Sequence, residues 1–275
     1  MPDASRLAEL VATYPSLLVG YSGGVDSALL AVVARRVLGR DRSLAAIGLS
    51  PSYSAAQYRQ AVDTATAFDL NLVEVPTDEL DDPHYAANPT NRCFFCKRTL
   101  WRHLTRVARQ RGFTVMADGT NADDLGEHRP GLGAAAEAGI RAPLAEAGYT
   151  KADVRREARE LGLAVWDAPA APCLSSRVMY GLSITPERLR QVEAGENILR
   201  SCGVRGDLRV RHRGPEARIE VESGEFAAVR RGRREIGRQL LDLGFQRVTL
   251  DLEGYRRGSL LAKRDPALEL LAERA

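Results

Sequence analysis

The chain has 275 residues, of which 44% are hydrophobic and 27% are charged, and its formal net charge is +3. This composition is ordinary for a globular protein with room for two domains, and so small a charge does not by itself indicate nucleic-acid binding. The absence of a transmembrane-length apolar run and of a secretory leader excludes a membrane role and predicts a cytoplasmic location. Four cysteines in such a protein indicate a metal site or catalysis rather than disulfides.

Strands alternate with helices through the first half of the chain. Apolar runs predict strands at 17–19, 44–49, 71–75 and 113–118. Helical spacing predicts a helix after the first strand, through Leu29, Leu30, Val33 and Val37, and further helices at 55–68 and 93–111. We therefore predict an α/β fold with a doubly wound parallel sheet, whose ligands bind at the carboxyl ends of the strands.

Polar segments connect these elements. Residues 78–91 are acidic and contain prolines, which predicts a loop, and 118–124 form a second acidic loop at the ligand-binding edge. The pattern of 126–139 is too weak for a prediction. Thr150 and Asp153 form a capping signature for a helix that Gly162 ends, and 168–173 is the expected exit from the first domain.

A smaller α+β domain follows. Thr185 and Pro186 predict the start of a helix that ends near Cys202. Residues 208–212 and 217–221 predict a hairpin through Gly214 and Pro215, and a basic helix at 226–243 and a strand at 247–252 complete the domain. The predicted domains are 1–178 and 179–275.

The loop after the first strand has the clearest chemistry. Ser22-Gly-Gly-Val-Asp-Ser27 lies at a predicted helix N-terminus, where glycines admit a ligand close to the backbone and free N–H groups suit an anion. It contains no lysine, unlike the commoner phosphate loop. The motif resembles the PP-loop of the adenine nucleotide α-hydrolases, which split ATP into AMP and pyrophosphate.

That resemblance implies roles for the loop. Ser22, Gly23, Gly24 and Ser27 are expected to hold the pyrophosphate of ATP, and Asp26 to help place Mg²⁺. We assign Gly119, Thr120 and Asn121, in the second loop at the same edge, to the nucleotide site as well. Whether Asp118, Asp123 or Asp124 binds Mg²⁺ or only shapes that loop stays open.

Three of the four cysteines are candidates for a shared site. Cys93 and Cys96 lie three residues apart near a helix start, a spacing that suits a shared metal, a redox dithiol, half of a zinc site or two buried thiols. With Cys173 they make three thiolates, which suits an iron–sulfur cluster with one iron free. Cys173 also lies beside hydroxyls and Arg177, surroundings that favour a thiolate. Cys202 lies in an apolar helical context and is expected in the core.

Further motifs carry a second resemblance over nearly the whole chain. They are the PP-loop, 118–124, Pro172-Cys-Leu-Ser-Ser-Arg177 followed by Tyr180-Gly181, Arg209-Val-Arg-His212 and Gly254-Tyr-Arg-Arg-Gly-Ser259. The sequence resembles the LarE family of ATP-dependent sulfur transferases, with Ser175 in place of the family's alanine. The implied substrate is pyridinium-3,5-biscarboxylic acid mononucleotide, converted to thiocarboxylates for the nickel-pincer nucleotide.

The family has two branches. In one, a single cysteine at the position of Cys173 gives up its sulfur and ends as dehydroalanine. In the other, three cysteines hold a [4Fe–4S] cluster that carries the sulfide. By resemblance, this sequence belongs to the second branch, because it contains Cys93, Cys96 and Cys173. The resemblance implies that these three cysteines are catalytic residues and ligands of the cluster. Relatives form hexamers, so a homo-oligomer is expected; the sulfide donor stays unknown.

The anionic substrate needs cationic partners. Arg209 and Arg211 point to one face of a predicted strand and would bind it, unless that face is simply solvated; Arg177 is a further candidate. Trp101 would stack on a ring or pack in the core.

Three other functions share parts of this pattern. They are a tRNA thiolase, an ammonia-dependent amide synthetase and a nucleotide-binding regulator with a structural metal. No RNA-binding domain is visible, so we expect no nucleic-acid partner, and the cysteines have no purpose in an amide synthetase. Magnesium-dependent transfer of AMP to a carboxylate would exclude the regulator.

Overall fold

The computed structural model describes residues 4–126, 130–169, 172–256, 258–261 and 266–274. They form two compact units. The first takes the described residues up to 85 and those from 91 to 169; the second takes 86–90 and those from 172 onward. Residues 170 and 171 of the predicted exit segment, 127–129 of the segment left open, and Arg257 of the last motif lie outside the described residues.

A parallel four-stranded sheet forms the centre of the first unit. Its strands are β1 (Leu17–Gly20), β2 (Ser43–Leu49), β3 (Leu72–Pro76) and β4 (Val115–Ala117), in the order β3-β2-β1-β4. β1 lies between β2 and β4, so Leu18 has Leu44 on one side and Met116 on the other. The first strand is therefore central, and the loop that follows it lies at the middle of the sheet's carboxyl edge. The predicted α/β fold is confirmed.

Helices cover both faces of this sheet. The helices between residues 4 and 160 are α1 (Ala4–Ala12), α2 (Val25–Leu38), α3 (Ala55–Ala67), α4 (Pro83–Ala86), α5 (Arg92–Arg111), α6 (Pro130–Glu137), α7 (Pro143–Glu146) and α8 (Lys151–Glu160). Leu17 and Val19 belong to the core shared with α1, α2 and α8, whereas Leu18 packs with Trp101 and Leu104 of α5 on the other face. This alternation follows from the two-residue period of a strand and makes the sheet doubly wound.

The segment predicted as a loop at 78–91 has some regular structure. It contains a 3₁₀ turn at Glu79–Asp81 and the four-residue helix α4, so the prediction of a loop throughout was wrong. Asp82 accepts hydrogen bonds from the backbone N–H of His84 and from Arg98 of α5, and these contacts support the short helix. Elements this short carry no hydrophobic periodicity that a sequence reading can detect.

The second unit has its own sheet and core. Strands β5 (Leu208–Arg213), β6 (Glu216–Val221), β7 (Arg247–Asp251) and β8 (Leu268–Glu273) pair in that order, with helices α9 (Pro186–Ser201) and α10 (Phe226–Asp242). β5 and β6 form the predicted hairpin, β6 and β7 are parallel, and β7 and β8 are antiparallel. Val210, Ile219 and Leu240 lie in a core that Cys202 also contacts.

Residues 86–90 join this second unit through Asn88. Its backbone has a positive φ of 54°, and its side-chain amide donates hydrogen bonds to the carbonyl oxygens of Val178, Met179 and Leu182. Asparagine tolerates this conformation better than most residues, which explains why it stands here.

None of the described helices is long and apolar enough to span a membrane.

Candidate functional site

The Ser22–Ser27 loop joins the central strand β1 to helix α2. Gly23 has a φ of +73°, and a Cβ atom there would lie 2.5 Å from the Cβ of Ala61 on α3. Both the backbone conformation and the close approach of α3 therefore require glycine. Gly24 caps α2 without a side-chain hydrogen bond, which leaves the N–H groups of the first helical turn available to an anion.

The carbonyl oxygens of this loop are bound to the protein. Those of Ser22, Gly23 and Gly24 accept hydrogen bonds from the Tyr53 hydroxyl at 2.8 Å, the Gln60 amide at 3.3 Å and the Ser27 hydroxyl at 3.1 Å. Burial raises the pKa of Tyr53, so its hydroxyl stays a donor. With the acceptors bound in this way, the loop offers mainly donors to a ligand, as a pyrophosphate site requires.

The second loop, 118–124, packs directly on the first. A Cβ atom on Gly119 would lie 2.7 Å from the backbone nitrogen of Ser27, so only glycine permits this contact. Asn121 is buried, and its side-chain amide donates to Oδ1 of Asp26 at 3.0 Å. The structure thus brings together residues of both loops that the sequence assigned to the nucleotide.

Lys151 completes this group and was missed by the sequence analysis. Its Nζ lies 2.5 Å from Oδ2 of Asp26, and its backbone N–H donates to Asp123 at 2.8 Å. It is the first residue of α8, whose cap at Thr150 is the predicted capping box. The available signals were the lysine directly after a cap and the lack of a lysine in the loop itself.

The acids of this group differ in their contacts, and the role of Asp26 in placing Mg²⁺ stays a prediction. Asp118 and Asp124 accept backbone N–H bonds from Thr120 and Asn121 within their own loop, so both shape it. Asp26 accepts only side-chain donors in these contacts, and carboxylate oxygens are the ligands that Mg²⁺ prefers. Among the described residues, no three His, Cys, Asp or Glu side chains are grouped as a metal site.

Cys93 and Cys96 lie near the start of α5, as the sequence predicted. Cys93 is exposed and Cys96 is half-buried, so a bound group could reach both thiols. Beside them, Phe95 stacks on His84 at 5.3 Å between ring centroids, and the Arg98 guanidinium lies over Phe95 at 5.1 Å. All four cysteines are among the described residues, and none forms a disulfide.

Cys173 belongs to the second unit, where it precedes a 3₁₀ turn at Leu174–Arg177. Arg177 folds back on this turn: its Nη1 donates to the carbonyl oxygens of Pro172 at 2.5 Å and Cys173 at 3.2 Å. Its Nε and Nη2 bind both carboxylate oxygens of Glu196, on α9, at 2.9 and 3.2 Å. Sequence reading had no signal for Glu196, one of several acids on a helix.

Arg209 and Arg211 lie on one face of β5, as predicted, but that face is buried rather than solvated. Arg211 forms an ion pair with Glu220 at 2.8 Å and donates to the carbonyl oxygen of Ser176 at 2.8 Å. Arg209 lies over the ring of Tyr255 at 4.9 Å. Burial, and then the nearby charge of Arg177, lower the pKa of Arg209.

Trp101 packs in the core of the first unit. Its indole is 1% exposed and covers Gly20, where a Cβ atom would lie 2.6 Å from the ring. Packing, one of the two predicted alternatives, is thus its position here, and stacking on a substrate stays a prediction. Its Nε1 has no hydrogen-bond partner among the described residues.

Comparison with known proteins places this chain in a family. Residues 6–111 match the NAD synthase family. The chain is 36% identical, over 94% of both sequences, to the pyridinium-3,5-bisthiocarboxylic acid mononucleotide synthase of Lactiplantibacillus plantarum. It is also 43% identical to an uncharacterised Synechocystis protein, over 88% of this chain and 91% of that one. An uncharacterised Methanocaldococcus jannaschii protein is 32% identical over 87% and 90%.

The NAD synthase match covers the PP-loop and the first three strands of the first unit. The match to the mononucleotide synthase extends over both units. The predicted ATP-binding fold and the predicted family are therefore both confirmed, and the chain belongs to the LarE family of ATP-dependent sulfur transferases.

Proposed function

We propose that this enzyme adenylates the carboxylates of pyridinium-3,5-biscarboxylic acid mononucleotide and replaces carboxylate oxygen with sulfur. The observation that carries the proposal is the 36% identity, over 94% of each chain, to a pyridinium-3,5-bisthiocarboxylic acid mononucleotide synthase. The PP-loop with its bound carbonyls and the cation of Lys151 supports the ATP-dependent half of this reaction.

The chemistry explains why ATP is needed. A carboxylate cannot lose oxide at neutral pH, so its oxygen first attacks the α-phosphorus of ATP, and the bond to the β-phosphate breaks to release pyrophosphate. Sulfide then adds to the acyl carbon, and AMP leaves with the former carboxylate oxygen. The N–H groups in the first turn of α2 and the Lys151 ammonium would stabilise the charge that develops on pyrophosphate.

Two cofactors, Mg²⁺ and an iron–sulfur cluster, are part of this proposal. Asp26 would hold Mg²⁺, which supplies Lewis acidity at the phosphate oxygens. Cys93, Cys96 and Cys173 would hold a [4Fe–4S] cluster, which supplies transferable sulfide when bound. The accessible pair at the start of α5 supports that set, since a cluster needs thiols it can reach. Sacrifice of the Cys173 sulfur is the competing route.

The decisive test of the reaction uses two substrates. We expect anaerobically reconstituted protein with ATP and Mg²⁺ to form thiocarboxylate from the pyridinium dicarboxylate, together with AMP and pyrophosphate. Bulk tRNA in a parallel reaction should gain no sulfur. Thiolated tRNA without thiocarboxylate would instead make the chain a tRNA thiolase.

A cysteine series tests the sulfur carrier. Cys93→Ala, Cys96→Ala and Cys173→Ala should each abolish the broad visible absorption of the reconstituted protein, whereas Cys202→Ala, at the core of the second unit, should keep it. Intact mass after turnover gives an independent reading. Loss of one sulfur from Cys173, with Cys93 and Cys96 dispensable, would establish the sacrificial route.

A homo-hexamer and a cytoplasmic location are part of this proposal and stay predictions, whereas the sulfide donor stays unknown. Size measurements on the purified protein test the hexamer. For the donor, free sulfide is the first source to supply in the assay, because it needs no partner protein.

A further inference from the structure

The chain around Cys173 is held by a guanidinium rather than by regular secondary structure. All three nitrogens of Arg177 donate hydrogen bonds inside the protein: Nη1 to the Pro172 and Cys173 carbonyls and to the Ser176 hydroxyl, and Nε and Nη2 to Glu196. The side chain of Arg177 is only 7% exposed. A bidentate pair of this kind fixes the plane of the guanidinium, and therefore the direction of Nη1.

The carboxylate of Glu196 has a further hydrogen bond, from the main chain. Its Oε1 accepts a hydrogen bond from the backbone N–H of Val210 on β5 at 3.3 Å, so the carboxylate connects α9, β5 and Arg177. Arg211 repeats the arrangement: Glu220 binds its Nε at 2.9 Å while its Nη1 binds the Ser176 carbonyl at 2.8 Å. Two carboxylate-bound arginines thus hold three carbonyl groups of the segment 172–176.

We propose that Glu196 is a positioning residue, which acts through Arg177 to hold the main chain at Cys173 in place for sulfur transfer. The proposal rests on the proposed function, in which Cys173 carries or holds the sulfur. It assigns Arg177 a different role from the anion binding expected from sequence. A substrate carboxylate or phosphate would have to displace Glu196 or the carbonyl groups, because each nitrogen of Arg177 already has an acceptor.

Glu196→Gln is the direct test. Glutamine has the same shape but loses the charge and one acceptor, so Arg177 should release the 172–173 carbonyl groups. We expect hydrogen exchange in the peptide 172–178, which includes the Ser176 N–H bonded to the Cys173 carbonyl, to speed up roughly tenfold or more. The kcat for thiocarboxylate should fall roughly tenfold or more, with KM values for substrate and ATP within about twofold.

Glu187→Gln is the matched control. Glu187 lies on the same helix, nine residues before Glu196, and is exposed. It should leave both the exchange rates and kcat unchanged. Glu196→Asp keeps the charge on a shorter side chain and should give intermediate exchange and kcat; it serves as the test variant if Glu196→Gln does not fold.

Two results would overturn the proposal. One is an increased substrate KM with unchanged kcat, which would make the pair part of substrate binding. The other is unchanged exchange at 172–178 together with unchanged kcat. If wild-type protein forms no thiocarboxylate at all, the proposed function fails, and hydrogen exchange alone then decides whether Glu196 holds the segment.

Discussion

Gly119 determines how closely the two loops of the proposed ATP site approach each other. Its missing side chain lets 118–124 lie against the backbone of Asp26 and Ser27, and this contact allows Asn121 to reach Asp26. Gly23 does the same between the PP-loop and α3. At the residue scale, the site therefore depends on backbone contacts that any Cβ atom would prevent.

Gly119→Ala tests that dependence. The added Cβ would lie 2.7 Å from the Ser27 nitrogen, so one of the loops must shift. We expect ATP binding, measured by calorimetry, to weaken roughly tenfold or more, and the free energy of unfolding to fall by about 1–3 kcal/mol. Gly126→Ala, whose Cβ would meet none of the described residues within 4 Å, is the control and should bind ATP normally. Wild-type affinity in Gly119→Ala would contradict this account.

His212 predicts a pH effect in the second unit. It is 3% exposed, and its Nε2 lies 2.9 Å from Oε1 of Gln191. Burial, and then the charge of Arg188, lower its pKa from 6.5 to about 4. Because the folded pKa lies below the unfolded one, protons bind the unfolded chain more strongly, and stability decreases as the pH falls below about 6.5.

We expect this residue to account for about 2 kcal/mol of the stability lost between pH 7.5 and pH 5. His212→Gln, which cannot titrate, should lose correspondingly less over the same interval. Urea unfolding of both proteins at the two pH values provides the measurement. Carboxylates titrate alike in both, so only the difference between the proteins matters, and equal losses would show that His212 is not responsible.

At the scale of the element, helix α8 supplies the cation that the PP-loop lacks. The capping box fixes where the helix starts, since Thr150 and Asp153 each accept a backbone N–H bond from the other. Lys151 is the next residue after Thr150. Its backbone N–H donates a hydrogen bond to Asp123, and its ammonium group forms an ion pair with Asp26. The cap therefore positions a charge in the ATP site as well as stabilising a helix.

Lys151→Met should weaken ATP binding roughly tenfold or more, because the phosphates lose a cation and Asp26 loses its ion-pair partner. The fold should persist, since the substitution suits a helix and the side chain is 39% exposed. Calorimetry with a non-hydrolysable ATP analogue measures the change. Arg159→Met, in the last turn of α8, is the charge-matched control and should leave affinity unchanged. Equal effects of both variants would indicate a general loss of charge.

At the scale of the whole molecule, each unit has its own sheet and its own core. β8 lies at the edge of the second sheet, and two of its leucines, Leu268 and Leu270, are 39% and 56% exposed. An edge strand with exposed apolar side chains readily pairs with another chain. We therefore expect β8 to form apolar contacts between chains in the predicted oligomer.

Leu270→Lys tests that expectation. Sedimentation of the wild-type protein should give the mass of six 30.0-kDa chains, about 180 kDa, and Leu270→Lys should shift it to smaller species. Leu125→Lys, at an exposed leucine of the first unit, should leave the mass unchanged. A monomeric wild type would refute the hexamer, and an unaffected Leu270→Lys would exclude β8 from the contact.

Several helices and one strand could not be predicted from the sequence, for physical reasons. Helices α4 and α7 have four residues each, too few for a periodic pattern. β8 has leucines on both faces, and its outer face is apolar although it is exposed. It therefore lacks the alternation of apolar and polar residues that identifies a strand. Helix α6 lies in an alanine- and glycine-rich segment without a polar face to contrast with its buried one. Long, patterned elements such as α5 and α9 were predicted to within two residues.

The PP-loop, the alternation of strands and helices, and the position of Cys93 and Cys96 at a helix start could all be predicted from the order of the residues. These features are local: glycine conformations, residue periodicity and capping act over a few residues. Two contacts became visible only in the folded chain: Lys151 binds Asp26, 125 positions away, and Glu196 binds Arg177. The partner of a charged side chain depends on which groups lie close to it and on how deeply they are buried, and the order of the residues does not show either.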